Sequence, residues 1–117
     1  MQKALLVVDD NQAVGQLMKR RLEMEGYEVF VETSGDHVLD LLKSKSIRVV
    51  LLDLELGQQS GLDILRQIKR LDPEMPVIMV TGHYEENAGR EAIESGALDY
   101  ITKPVDFQYL LNILSVQ

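Results

Sequence analysis

Asp9 and Asp10 close the aliphatic run "ALLVV" (4–8), Asp53 closes "IRVVLLD" (47–53), Thr81 closes "PVIMVT" (76–81), and Lys103 follows "ALDYI" (97–101). Ionised groups at the ends of runs built for burial resist leaving water, and neighbouring carboxylates repel each other. One explanation of the acid pair is local: Asp10 or Asn11 caps the helix that follows, and its neighbour is solvated. The other is that the acids await a cation. Three carboxylates gathered at a partly buried point repel strongly enough that a divalent cation is the natural remedy. A few hard oxygen donors with room for water suit Mg²⁺ better than a dedicated calcium cage.

Other metals fit the chain poorly. The stretch "DLELGQQSGLDI" (53–64) starts like a calcium loop, but Gly57 stands one place too early for its turn and Ile64 occupies the place of the bidentate acid. With no cysteine and only His37 and His83, a zinc site is not supported, and disulfide and thiolate chemistry are excluded.

To bring these residues together the chain must fold in a particular way. Five short β-rich runs, at 4–8, 27–31, 47–53, 76–81 and 97–101, alternate with amphipathic segments. The first helix is expected to set Val14, Leu17, Met18 and Leu22 on one face and to close at Gly26. The second opens at Ser34 and carries Val38, Leu41 and Leu42; the third carries Leu62, Leu65 and Ile68 and stops before Pro73. A fourth spans about Glu86 to Ser95 and ends at Gly96, and the last is entered at Asp106 with Leu110, Leu111 and Leu114 inward. The segment 54–61 is the longest irregular stretch.

Strand–helix alternation implies a doubly wound α/β domain: a five-stranded parallel sheet of order 2-1-3-4-5 with five helices covering both faces. In such a sheet ligands bind beyond the carboxyl ends of the strands where the order reverses, here between the first and third strands. Asp9, Asp10 and Asp53 fall at that point, with Thr81 and Lys103 on the same rim.

Composition bounds the possibilities. The 117 residues, 45% hydrophobic, suffice for one core and one domain, 1–117. No stretch approaches a membrane span and no leader pattern is present, so a cytoplasmic protein without membrane contact is expected. A net charge of -7 argues against nucleic-acid binding by this domain and suits solubility.

The ordered set "VVDDN", "LLDLEL", "VTGH" and "GALDYITKP" resembles the receiver domain of bacterial two-component response regulators, over essentially Lys3 to Ser115. The resemblance implies that Asp53 is the phosphoacceptor, with Thr81 and Lys103 gripping phosphoryl oxygens and the amides of Leu54 and Gly82 as further donors. It implies Asp10 as direct Mg²⁺ ligand, Asp9 through water, and the main-chain carbonyl of Glu55 as another ligand. Lys103–Pro104 is expected to be cis, and Tyr100 to be the aromatic that couples to Thr81. Implied partners are a sensor histidine kinase or phosphotransfer protein, and an output domain or effector meeting the face of helix four, strand five and helix five, with a phosphorylation-dependent dimer as an option. Carboxylate, ammonium, amides and metal in those places make chemical sense for phosphoryl transfer. Enzymology would be confined to self-phosphorylation and slow self-hydrolysis.

The chain departs from the family pattern at Gly57, where many members have proline, which suggests a more mobile loop. Glu55 and His83 occupy variable positions that tune phosphoryl lifetime in the family, and Gly89 weakens helix four by about 1 kcal/mol relative to alanine. Rival readings are a receiver-like interaction module that is not phosphorylated, a small Mg²⁺-dependent phosphohydrolase, and a flavodoxin-like cofactor carrier. The phosphohydrolase would need its nucleophile on the first strand and a cap domain. The carrier would need a Ser/Thr/Gly-rich first loop where this chain has "DDNQA".

Overall fold

Ala4–Val8 (β1), Ile47–Leu52 (β3) and Val77–Thr81 (β4) are buried at nearly every position, as strands covered on both faces must be. Glu28–Glu32 (β2) and Asp99–Thr102 (β5) flank them and are more exposed. The computed structural model describes residues 4–117; Met1 to Lys3, where the expected domain and the resemblance begin, lie outside the described residues. All neighbouring strands run parallel in the order β2-β1-β3-β4-β5, as the alternation of strands and helices predicts. The helices are Gln12–Glu23 (α1), Val38–Ser44 (α2), Gly61–Leu71 (α3), Glu86–Glu94 (α4) and Phe107–Leu114 (α5).

Period-two alternation sorts each strand between two cores. Leu6, Val8, Val50 and Leu52 pack with Ile64, Leu65 and Ile68 of α3, whereas Leu5, Val7, Val49 and Leu51 pack with Met18 and Leu22 of α1 and Leu110 and Leu114 of α5. Each such side chain withdrawn from water contributes about 1.5–3 kcal/mol before entropy is counted.

Register places the site. Val8 pairs with Leu52, so the next residues, Asp9 and Asp53, leave the sheet side by side, and the Asp53 amide donates to the Val8 carbonyl at 2.9 Å. Thr81 pairs with Thr102, and the Lys103 amide donates to the Thr81 carbonyl at 2.7 Å. Asn11, not Asp10, caps α1, its side chain accepting from the Val14 amide at 3.2 Å. Asp10 is thereby left for other work. Gly26 ends the turn after α1 at φ 92°, a conformation glycine adopts without penalty.

Four local expectations change. Leu17 is 56% exposed, because the α1 face that meets the sheet passes through Gly15, Met18 and Leu22 instead. Ser34 does not open α2: its hydroxyl accepts from the Asp36 amide in a turn, and the helix begins after His37 with no side-chain cap. β5 starts at Asp99, since Ala97 and Leu98 close off α4; the Ala97 amide still donates to the Ala92 carbonyl. The segment 54–61 is not irregular. Glu55–Leu56 and Gln59–Ser60 form a small antiparallel ribbon around a two-residue turn, with Gly57 at φ 64° in the first central position, as a II′ hairpin requires.

Candidate functional site

A cavity of about 380 Å³ opens at the carboxyl ends of β1, β3 and β4, lined by Asp9, Asp10, Asp53, Glu55, Thr81 and Lys103 among others. Asp9 and Asp53 are only 4% and 7% exposed, whereas Asp10 is exposed. Lys103 bridges the two buried acids: its ammonium donates to Asp9 Oδ2 at 2.7 Å and to Asp53 Oδ2 at 3.0 Å. A backbone amide donates to one further oxygen of each aspartate. Asn11 N–H donates to Asp9 Oδ1 at 2.9 Å, Glu55 N–H to Asp53 Oδ1 at 3.1 Å, and Gly57 N–H to Asp10 Oδ2 at 3.1 Å.

One carboxylate oxygen from each of Asp9, Asp10 and Asp53 lies within 4.8 Å of the other two. Three hard anionic donors that close, one of them open to solvent, can hold a divalent cation and leave room for water on it. The single ammonium of Lys103 cannot balance three carboxylates.

Burial pushes the Asp53 carboxyl above its ordinary range, against the pull of Lys103 and the Glu55 amide. For Lys103 burial acts downward, yet the hydrogen bonds to Asp9 and Asp53 outweigh it and hold the ammonium above the usual lysine value. The signs differ in consequence. The Lys103 contribution to stability is present below the ordinary value of 10.5 and is lost as pH rises through the higher folded value. Ionised Asp53 instead detracts from stability at neutral pH, and the deficit vanishes as pH falls through its folded value. Metal-free Asp53→Asn is therefore expected to be more stable than the parent at neutral pH. Urea midpoints should show that gain shrinking on acidification; a gain independent of pH would refute the charge argument.

Thr81 is 1% exposed, and its hydroxyl accepts from the His83 amide at 3.2 Å and donates to the His83 carbonyl at 3.3 Å. Gly82 and His83 line the cavity, whereas Leu54 lines a neighbouring groove together with Glu85 and Ala88. The Lys103–Pro104 bond is cis. Tyr100 packs edge-to-face on Tyr84, its ring centroid 6.0 Å away, and its buried hydroxyl has no hydrogen-bond partner among the described residues. A Cβ at Gly89 would lie 3.1 Å from that ring, so the missing side chain makes room for it.

Two contributors escaped the sequence reading. The amide of Gly57 is invisible to any argument from side chains. Gly61 opens α3 so close to β3 that a Cβ would sit 2.1 Å from the Asp53 main-chain oxygen; a glycine just after the Ser60 cap was the available signal.

Fold and site together define a doubly wound α/β domain with an acid-lined cavity at the switch point. The sequence matches the family model of the response regulator receiver domain over residues 5–115. It is 34% identical over 95% of its length to the transcriptional regulatory protein ZraR of Klebsiella oxytoca, spanning 25% of that protein. The structure superposes with TM-score 0.92 and 32% identity on a CheY-like receiver domain protein from Methanospirillum hungatei, covering 99% of this chain and 93% of the other. A response regulator from Burkholderia pseudomallei, solved with a phosphorylated aspartic acid, calcium and citrate, superposes with TM-score 0.88 and 30% identity over 94% of this chain and 65% of its own. The chain belongs to the response regulator receiver family and is a receiver domain of two-component signalling. Among the described residues no helix is long and apolar enough to cross a membrane.

Proposed function

We propose that Asp53 accepts a phosphoryl group from a phosphohistidine of a sensor histidine kinase or phosphotransfer protein. The observation that carries this reading is the bridge of Lys103 between Asp9 and Asp53 in one cavity with Asp10 and Thr81. An Asp53 carboxylate oxygen forms a bond to phosphorus while the phosphorus–nitrogen bond of the donor breaks, its electron pair returning to the imidazole. Lys103, already on Asp53, follows the charge onto a phosphoryl oxygen. The Thr81 hydroxyl leaves the His83 carbonyl and donates to another, and the amides of Leu54 and Gly82 supply further donors. Water attacking phosphorus later returns the free carboxylate, so catalysis stays limited to self-phosphorylation and slow self-hydrolysis.

Asp9, Asp10, Asp53 and the Glu55 carbonyl would hold Mg²⁺, which when bound supplies positive charge against the phosphoryl oxygens. Magnesium at about a hundred times its Kd is expected to stabilise the domain by about 2.7 kcal/mol. Thermal melts of Asp10→Ala should show that increment largely gone, and an undiminished increment would remove Asp10 from the ligand set.

The movement of Thr81 away from the His83 carbonyl is the event to which Tyr100 responds, biasing the α4–β5–α5 face toward an output domain, an effector or a second phosphorylated copy. Such exchange with a kinase is cytoplasmic. Incubation of the 1–117 domain with a small-molecule phosphodonor and Mg²⁺ tests the reading: intact mass should rise by one phosphoryl group. An unchanged mass indicates the interaction module, and rapid turnover of external phosphate esters without an adduct indicates the hydrolase.

A further inference from the structure

Each aspartate of the cavity has one backbone amide on it, and two of those amides come from a single edge of the ribbon after β3. Glu55 N–H serves Asp53, and two residues on, Gly57 N–H crosses to Asp10, 47 positions away in sequence. Residues two apart on a strand present their amides to the same edge, so the ribbon offers a matched pair of donors to acids from two different strands. The Leu56–Gln59 pairing keeps the other edge occupied. Asp10 needs this help more than its neighbours do. It is exposed, lacks the lysine, and has been relieved of capping by Asn11, so among the described residues only the Gly57 amide holds its carboxylate toward the cavity.

We infer that Gly57 is a positioning residue for the cation seat: its amide fixes Asp10 Oδ2 and leaves the other oxygen aimed for the metal. The inference rests on the divalent cation proposed above. Partners that orient metal ligands typically change affinity by about 10–100-fold when lost. The Leu56–Gly57 peptide plane sets the direction of this amide, and the chain then turns through a left-handed φ at Gly57; among the described residues no atom lies within 4 Å of where its Cβ would be, so backbone conformation alone selects glycine. The ribbon is itself anchored at its far end. Gln59 accepts from the Gly35 amide at 2.8 Å and donates to Asp36 at 2.9 Å, tying the turn to the loop before α2. Such anchoring is what lets an amide orient a carboxylate.

The test is a Mg²⁺ titration of the 1–117 domain followed by amide resonances, for the parent, Gly57→Pro, Gly57→Asn and Asp10→Ala, and for Gly57→Pro combined with Asp10→Ala. Proline removes the N–H and cannot adopt the left-handed φ, whereas asparagine keeps the donor and tolerates that conformation. The parent's Gly57 amide should shift on metal addition. Gly57→Pro should bind Mg²⁺ at least about tenfold more weakly, Gly57→Asn within about threefold of the parent, and in the Asp10→Ala background proline should change nothing further. Proline and parent binding alike, or a loss that persists without Asp10, overturns the inference while leaving the cation seat intact. No saturable binding by the parent sinks the seat itself.

Discussion

Asp53→Asn is expected to take up no phosphoryl group from a small-molecule donor under conditions that modify the parent stoichiometrically. The amide oxygen of asparagine is too weak a nucleophile to attack phosphorus, and neither remaining acid is a ready substitute. Asp9 is held on both oxygens, by Lys103 and by the Asn11 amide, and Asp10 stands at the exposed rim under the Gly57 amide. A rate loss of at least about a thousandfold, some 4 kcal/mol of barrier, follows. Acid-quenched intact-mass spectrometry over time measures it directly. Urea midpoints of the same variant separate lost phosphorylation from a folding defect. An adduct forming on Asp53→Asn at near-parent rate would move the acceptor to another residue.

The largest stability effect is expected from Gly61→Ala. Alanine in a helix ordinarily gains about 1 kcal/mol over glycine, yet here the new methyl would lie 2.1 Å from the Asp53 carbonyl oxygen and 2.8 Å from Leu54 Cα. Both atoms are backbone, so no side chain can yield; α3 or the end of β3 must move as a unit. Overpacking of that kind costs about 3 kcal/mol here, the upper end of what small-to-large changes cost. Urea denaturation gives the number. Since the displaced segment carries Asp53, phosphoryl uptake should slow as well. Gly26→Ala is the contrasting control: nothing lies within 4 Å of its Cβ position, and the left-handed φ of 92° alone should cost about 1–2 kcal/mol. Equal losses in the two variants would show that the clash at Gly61 relaxes freely.

How far the site could be read from residue order varies from one group to the next. Asp9, Asp53, Thr81 and Lys103 were legible because each sits at the end of, or just past, a strand, and strand ends of a parallel sheet share one rim. Gly26 and Gly96 were legible as helix stops, and both do take positive φ, 92° and 104°. Leu17 was misassigned because a helical face is only a stripe; which edge of it meets the sheet depends on how Gly15 lets α1 approach Val31. Ser34 carried a capping signal that the chain spends on a turn.

Residue order by itself determined the doubly wound fold and which polar groups end its strands, because hydrophobic period and turn chemistry act over a few neighbouring positions. Tertiary structure alone decided the Lys103 bridge, the amides laid on each carboxylate and the contact of Gly61 with Asp53. These depend on inter-strand register and on backbone atoms, which are the same for every residue type; of them only the close approach at Gly61 leaves a mark in the sequence, the glycine itself.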